Sequence, residues 1–210
     1  MELRDLKQKN INFQKKWLKD DPHFFEKMKE GQDPDFLVVA CSDSRVCPTT
    51  ITDMPPGHMF IHRNIANQVV ESDESFEASL YYALVHLKVK YILIKGHTGC
   101  GGVQAAWDHN EEDGLKSWLA HVKNSLPTDR ESRDWTPEKL SKFNVLHQVE
   151  KLKEHPVYQK YGEGVPIIGA LFDLGSGELD VFDLDTLTND SSALNEVKDR
   201  LSNNATREAR

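Results

Sequence analysis

Two cysteines and a histidine have the residue types and the spacing of a metal site. Cys41 directly follows an apolar run at residues 36–40. His97 and Cys100 follow a second apolar run at 91–94. Two thiolates and an imidazole are good zinc ligands, and three protein ligands leave the fourth tetrahedral position to water, as catalytic zinc requires. The alternative is a buried thiol beside an ordinary loop histidine. A second cysteine at a matching position favours the metal site.

Asp43 and Arg45 are the candidate catalytic pair. One residue separates them, so both side chains can lie on the same side of an extended turn. A bidentate carboxylate–guanidinium pair would then hold Asp43 away from the metal. The alternative is an ordinary surface ion pair, worth at most about 1 kcal/mol. Their position directly beside Cys41 favours the functional interpretation. The glycines around Cys100 permit the tight turn that a His-x-x-Cys pair needs.

The apolar runs that precede these residues predict strands of a parallel sheet. Continuous apolar runs are typical of strands that are buried on both faces. Ligands of open α/β sheets bind at the carboxyl ends of the strands, so the three residues converge if the two strands are neighbours. The expected fold is α/β, with a mostly parallel central sheet, an antiparallel edge and flanking helices. The remaining pattern predicts a short strand at 58–62, helices at 75–87, 102–107, 115–125 and 137–154, and a hairpin of strands at 166–172 and 178–182.

The N-terminal region predicts a helical arm. Apolar residues recur at roughly helical spacing over residues 3–19, and a second short helix is expected at 24–28, after Pro22. The apolar stripe of this arm has no evident core of its own, so it packs on another part of the fold or on a second subunit. The predicted organisation is an arm at 1–30 and a single zinc-binding α/β catalytic domain at 31–210.

Composition excludes several classes of function. The chain has 210 residues with 38% hydrophobic content, which fits one domain with its own core. A net charge of −8 without a basic block argues against nucleic acid and anionic membranes as partners. Neither a secretory leader nor a membrane span is visible in the sequence. Three cysteines favour reduced thiols and a cytoplasmic location. An organelle stays possible if a transit peptide has been removed.

The sequence resembles the β-carbonic anhydrases. Cys-x-Asp-Ser-Arg at 41–45, followed by His-x-x-Cys at 97–100, matches the zinc signature of that family. Further likeness includes Arg-Asn-Ile-Ala-Asn at 63–67, and it covers about residues 20–185, most densely 31–104. The resemblance implies zinc-dependent, reversible hydration of carbon dioxide to bicarbonate and a proton, by attack of zinc-bound hydroxide on CO2.

The resemblance also implies the ligands and their control. One Zn2+ per chain would be bound by Cys41, His97 and Cys100. Asp43 would become a fourth ligand only in a closed state of the site, and we expect this chain to favour the open state at mildly alkaline pH. The third cysteine, Cys47, has no zinc role in the family and is interpreted as structural.

Within the family the chain looks more like the plant-type branch. Gln32 would donate a hydrogen bond to substrate, while Phe60, Ile65 and Tyr82 would form the apolar walls of the pocket. The alternative is that Phe60 and Ile65 belong to the core and that Gln32 is an exposed turn residue. Members of the family form homodimers with the pocket at the interface, and often higher assemblies of dimers.

Two other functions and one unassigned role stay open at this level. The same site could hydrolyse carbon disulfide or carbonyl sulfide, or the chain could be a zinc-stabilised regulatory protein without turnover. The proton must also leave the site through a titratable group, and residue type alone does not choose among the candidates. These are His58, His62, His86 and Tyr82.

Overall fold

The computed structural model describes residues 2–131 and 134–182. The chain forms two compact units, with the boundary between Asp33 and Pro34. No helix in the described residues is both long enough and apolar enough to cross a membrane. The division into an arm and a single catalytic domain stays a prediction, and its C-terminal part, from residue 183 onward, lies outside the described residues.

The N-terminal unit is a pair of helices, α1 (Leu3–Asp20) and α2 (Phe24–Met28). The first turn of α1 is closed by reciprocal hydrogen bonds between Glu2 and Asp5. Neither helix has a buried residue. Aromatic rings join the two helices, and Trp17 and Phe24 stack at 4.7 Å between centroids. The expected helical region at 3–19 and the expected second short helix at 24–28 are therefore confirmed.

The described part of the second unit is built on a five-stranded sheet in the order β2-β1-β3-β4-β5. The strands are β1 (Phe36–Cys41), β2 (Met59–Asn64), β3 (Tyr91–His97), β4 (Ile167–Phe172) and β5 (Leu179–Phe182). The first four are parallel, and β5 pairs antiparallel with β4. The predicted α/β fold with an antiparallel edge is confirmed.

Helices flank this sheet. They are α3 (Pro48–Ile51), α4 (Glu74–Tyr81), α5 (Gly101–Trp107), α6 (Lys116–Asn124), α7 (Pro137–Glu154) and α8 (Pro156–Tyr161). The largest cluster of buried apolar residues joins one face of β1 and β3 to α4 and α7, through side chains such as Leu37, Ile94, Phe76 and Phe143. A smaller cluster, which includes Val38, lies on the opposite face.

Two short helices were not predicted from sequence. Both α3 and α8 begin at a proline, Pro48 and Pro156. Proline at the first helical position loses no hydrogen bond and has a suitable φ angle. The same signal correctly located the start of α7 at Pro137. At four and six residues, α3 and α8 are too short to show a 3.6-residue period.

The predicted helix at 75–87 changes form along its length. Asp73 caps α4 by accepting hydrogen bonds from the amides of Ser75 and Phe76. After α4 the chain continues as a wider, π-helical segment, Tyr82–Leu87, and it ends at Lys88 in the left-handed region with φ of 52°. Wide turns of this kind are frequent at functional sites.

Candidate metal centre

The sheet order brings two strand ends together. Cys41 is the last residue of β1 and His97 is the last residue of β3. These strands are parallel neighbours, with Ala40 paired to Lys95. Cys100 follows as the cap residue that precedes α5. The predicted convergence at the carboxyl edge of the sheet is therefore observed.

The three side chains form a buried cluster of ligand atoms. The sulfurs of Cys41 and Cys100 are 3.8 Å apart. These two sulfurs and a ring nitrogen of His97 all lie within 4.8 Å of one another. Two sulfurs at the usual Zn–S distance of about 2.3 Å from one tetrahedral ion would be about 3.8 Å apart. The spacing therefore fits a zinc ion without rearrangement.

His97 presents a free nitrogen to this cluster. Its Nδ1 lies 2.9 Å from the carbonyl oxygen of Thr98. Because a carbonyl can only accept, Nδ1 carries the proton and Nε2 has a free lone pair. Nε2 is buried and has no hydrogen-bond partner in the described part of the chain. A buried nitrogen that lacks a partner costs free energy unless a ligand binds to it. The donor set thus fits a metal ion.

Hydrogen bonds prepare the sulfur of Cys41 for a cation. The hydrogen bond with the Cys100 thiol lowers the pKa of Cys41, and the same bond raises the pKa of Cys100, because the two sulfurs share one proton. Backbone amides of Asp43 and Ala66 also stabilise the Cys41 thiolate. Metal ligation requires thiolates, so the donors to Cys41 act in the same direction as a bound ion, whereas Cys100 must lose its proton when a metal binds.

Asp43 and Arg45 form the expected bidentate pair. Nε of Arg45 donates to Oδ1 at 3.0 Å, and its terminal nitrogen donates to Oδ2 at 2.7 Å. These bonds hold the pKa of Asp43 well below its usual range. Oδ2 is 3.9 Å from Nε2 of His97, beyond hydrogen-bond distance. The carboxylate thus lies beside the cluster while its hydrogen bonds go to Arg45.

Two cations behind the cluster were not identified from the sequence. Arg63, on β2, donates to the carbonyl oxygens of Cys41 and Asp43. Lys95, on β3, is completely buried and donates to the carbonyl oxygen of Val46 at 2.6 Å. Burial lowers the pKa of Lys95 to about 8. A lysine that interrupts an apolar strand next to a ligand was the available signal.

The predicted pocket walls lie partly open to solvent. The rings of Phe60 and Tyr82 are in contact, with 5.7 Å between centroids. Ile65 begins a single 3₁₀ turn, Ile65–Asn67, and its carbonyl accepts from the indole of Trp118. Tyr82 is 43% exposed and Ile65 is 37% exposed. Neither is a core residue of this chain, contrary to the alternative considered for Ile65.

Gln32 belongs to the N-terminal unit, and its side chain is exposed. Its proposed contact with substrate therefore stays a prediction.

A buried amide network supports the turn that carries Ile65, and the sequence did not reveal it. The carbonyl of Ala66 accepts from the side chains of Gln68 and Asn144. Gln148 donates to both Asn144 and Ser125. Ala66 has a φ of 63°, so a left-handed backbone is maintained here without glycine. Polar residues on an otherwise buried helix face, such as Asn144 and Gln148 on α7, were the only sequence signal.

The four proton-transfer candidates differ in their surroundings. His62 is buried, its pKa is lowered by burial, and its ring lies near Ser79. His58 faces Asp35 at 3.5 Å. His86 is exposed, and its ring lies 5.1 Å from that of Tyr82. Among the three histidines, His86 combines exposure with a contact to a predicted pocket residue, Tyr82.

Known proteins resemble this chain over most of its length. The carbonic anhydrase family profile matches residues 36–179. A carbonic anhydrase of Emericella nidulans is 37% identical over 174 residues, which cover 79% of this chain and 76% of that protein.

Solved structures agree with this assignment. A tetrameric β-carbonic anhydrase of Sordaria macrospora is 32% identical, with a TM-score of 0.73 over 85% of this chain and 95% of that chain. The β-carbonic anhydrase CafA of Aspergillus fumigatus is 31% identical, with a TM-score of 0.75 over 95% of this chain and 97% of that chain. The chain therefore belongs to the carbonic anhydrase family, whose members are carbonate dehydratases, and within it to the β class.

Proposed function

We propose that this chain binds one zinc ion through Cys41, His97 and Cys100 and uses it to hydrate carbon dioxide reversibly to bicarbonate and a proton. The observation that carries the proposal is the buried Nε2 of His97, which has no hydrogen-bond partner among the described residues and lies beside two sulfurs that are 3.8 Å apart. Three ligands leave a fourth tetrahedral position free for chemistry, whereas structural zinc is closed by four protein ligands.

A bound zinc ion would supply a Lewis acid that makes the attacking water nucleophilic at neutral pH. The residues of the chain position the reactants around it. Arg45 holds the carboxylate of Asp43 beside the cluster, and each carboxylate oxygen keeps a lone pair that can accept a hydrogen bond from water or from the hydroxyl of bicarbonate. Asp43 thereby orients the reacting oxygen, and Arg45 keeps the carboxyl group of Asp43 ionised.

The pocket proposal assigns Phe60, Ile65 and Tyr82 to the apolar walls and Gln32 to a hydrogen bond with a substrate oxygen. Its support is the contact between Phe60 and Tyr82 and the exposure of Tyr82 and Ile65, since core residues would be covered. The plant-type arrangement is part of this proposal, and the open Asp43–Arg45 pair supports it.

We further assign proton exit to Tyr82 and His86. Their rings are adjacent, and His86 reaches solvent. Replacement of His86 by alanine should lower kcat in dilute buffer while kcat/KM is retained, and added imidazole should restore the rate. A loss of kcat/KM that imidazole does not restore would exclude this role.

The assembly proposal is a homodimer or a higher assembly of dimers. A second subunit would cover the half-exposed pocket walls, and the related enzyme of Sordaria macrospora is described as tetrameric. Carbon dioxide and bicarbonate are the proposed small-molecule partners. A cytoplasmic location stays a prediction that rests on the reduced thiols Cys41, Cys47 and Cys100.

Stopped-flow CO2 hydration against pH, with zinc content measured on the same sample, tests metal and reaction together. We expect about one zinc per chain and a rate that disappears when a chelator removes the metal. Carbonyl sulfide and carbon disulfide are assayed in parallel. Turnover of these compounds with CO2 hydration at background would show that the site is a hydrolase for sulfur substrates. Zinc binding without any turnover would indicate the regulatory alternative.

A further inference from the structure

A row of four residues crosses the sheet just below the metal cluster. Arg63 of β2 is paired with Ala40 of β1, Ala40 with Lys95 of β3, and Lys95 with Ala170 of β4. Residues in register on neighbouring strands project from the same face of a sheet. The cationic side chains of Arg63 and Lys95 therefore project from the same face of the sheet, one on each side of β1. The small side chain of Ala40 between them leaves space for both.

Both cations bind the loop that follows Cys41. Arg63 donates to the carbonyl oxygens of Cys41 and Asp43, at the start of the loop. Lys95 donates to the carbonyl oxygen of Val46, near the end of the loop. The amide of Val46 in turn donates to the carbonyl of Asp43 at 3.2 Å. The backbone that carries Asp43 and Arg45 is thus held at both ends from the two flanking strands.

Lys95 also lies against the other ligand strand. Its ammonium is 6.0 Å from the centre of the Phe172 ring, and Phe172 is paired with His97 in the sheet. Lys95 itself is two residues before His97 on β3. One side chain therefore connects the segment that presents His97 to the loop that follows Cys41.

Burial of Lys95 costs free energy, so a role beyond stability is needed to explain why a lysine is present at this position. The side chain is 0% exposed, and burial of a cation costs free energy unless bonds replace water. Even buried ion pairs can often be replaced by apolar residues of similar volume with a neutral or stabilising effect. A residue that served stability alone would be better as methionine.

We propose that Lys95 is a positioning residue for the metal site: with Arg63 it fixes the loop at 41–46 so that Asp43 stays paired with Arg45 beside the cluster. The inference rests on the proposed function, because it assigns Lys95 a role in preparing the zinc site. Residues that orient metal ligands typically change metal affinity about 10- to 100-fold when they are replaced.

Lys95→Met tests this directly, because methionine keeps the unbranched shape but removes the donor and the charge. The matched control is Leu93→Met, a buried residue of the same strand on the same face. We expect the zinc dissociation constant of Lys95→Met to rise about 10- to 100-fold. The melting temperature of the metal-free protein should stay unchanged or increase. A crystal structure of the zinc-loaded variant should show the Asp43–Arg45 contacts broken. Leu93→Met should resemble the wild type in all three measurements.

Unchanged zinc affinity with an intact Asp43–Arg45 pair in Lys95→Met overturns the proposal, as does an equal loss of affinity in Leu93→Met. If Lys95→Met does not fold, Lys95→Gln, which is uncharged and one bond shorter, is measured in the same way. Failure of both to fold without metal, while Leu93→Met folds, would assign Lys95 to stability alone. Wild-type protein without zinc or CO2 hydration would instead refute the proposed function.

Discussion

At the scale of single residues, the site depends on where one proton and one carboxylate lie. The Nδ1–H of His97 is directed to a backbone carbonyl, so Nε2 faces the two sulfurs. Asp43 is retained by Arg45, although its carboxylate is only 3.9 Å from that nitrogen. The closed state, in which Asp43 would become a fourth ligand, stays a prediction.

Arg45→Ala should lower CO2 hydration without unfolding the protein. The variant removes both side-chain hydrogen bonds to Asp43, so the carboxylate is free to turn toward the cluster. We expect kcat/KM to fall about 10²- to 10³-fold, as for loss of one preorganised polar group. The control is Lys116→Ala, which removes an exposed ion pair with Asp113. A full hydration rate in folded, zinc-loaded Arg45→Ala would show that the pair has no catalytic role.

Cysteine replacements should separate the ligands from the third thiol. Cys100→Ser replaces a thiolate by a hydroxyl that stays protonated at neutral pH, so zinc should be lost on dialysis against a mild chelator. Cys47→Ser should keep its zinc, because the sulfur of Cys47 lies instead near the hydroxyl of Thr49. Elemental analysis of both variants measures this difference. Equal retention of zinc by the two variants would contradict the ligand assignment.

At the scale of elements, α5 places Cys100 by packing very closely against the turn at Ile65. A side chain at Gly102 would overlap the Cγ2 methyl of Ile65 and approach Cβ of Ala66 to 3.3 Å. Gly99 serves differently, since its φ of 62° lies in the left-handed region. Gly101 has room for a side chain, and its backbone is not in the left-handed region. The three glycines that surround Cys100 thus have different roles, although the sequence suggested one role for all of them.

Gly102→Ala and Gly101→Ala should therefore change the free energy of unfolding in opposite directions. A methyl group at position 102 would overlap Ile65, whose β-branched side chain cannot easily rotate away. We expect Gly102→Ala to lower the free energy of unfolding by about 1–3 kcal/mol. Gly101→Ala should be neutral or stabilising by up to about 1 kcal/mol, because alanine loses less entropy in a helix. Urea unfolding of the two variants tests the difference. Equal stability would mean that the close approach of α5 is not required.

The start of α8 should make stability depend on pH. Nδ1 of His155 accepts the amide proton of Val157, and the ring is buried against Phe76. Burial lowers the pKa of His155 below its ordinary value of 6.5. The unfolded chain thus binds the proton more readily, so this contribution is complete above about pH 6.5 and is lost as the pH falls toward the lower pKa of the folded state.

His155→Asn should reduce that dependence, since asparagine can cap a helix but does not titrate. We expect the melting temperature of metal-free His155→Asn to fall less than that of the wild type between about pH 7.5 and about pH 5.5. His109→Asn is the control, because His109 is exposed and asparagine tolerates its φ of 58°. Identical slopes for His155→Asn and the wild type would exclude His155 as the source.

At the scale of the whole molecule, two apolar surfaces suggest a second copy of the chain. Tyr82 and Ile65 are partly exposed on the sheet-containing unit. In the N-terminal unit, Leu3 is 85% exposed and Leu6 is 56% exposed. Contiguous apolar surface is commonly covered by a partner.

Light scattering should accordingly find a dimer or a multiple of dimers for the full chain. Leu3→Asp combined with Leu6→Asp should shift the distribution toward smaller species, because a charge cannot be buried without a partner. Lys9→Asp in the same helix controls for charge, because this single change also lowers the net charge by two. A monomeric wild type that hydrates CO2 at full rate would contradict the assembly.

The ligands, their chemistry and the class of the fold could be predicted from the sequence, because they depend on local patterns. Strand type follows from apolar runs, and the zinc signature lies within a few residues of each strand end. Whether those ends meet depends on which strands are neighbours, and only the tertiary structure decided that β1 lies between β2 and β3. Lys95, Arg63 and the amide network were not predicted for the same reason. Their partners lie far away in sequence. The register across the sheet brings Lys95 and Arg63 to the loop after Cys41, and the packing of α7 brings Asn144 to the turn at Ala66.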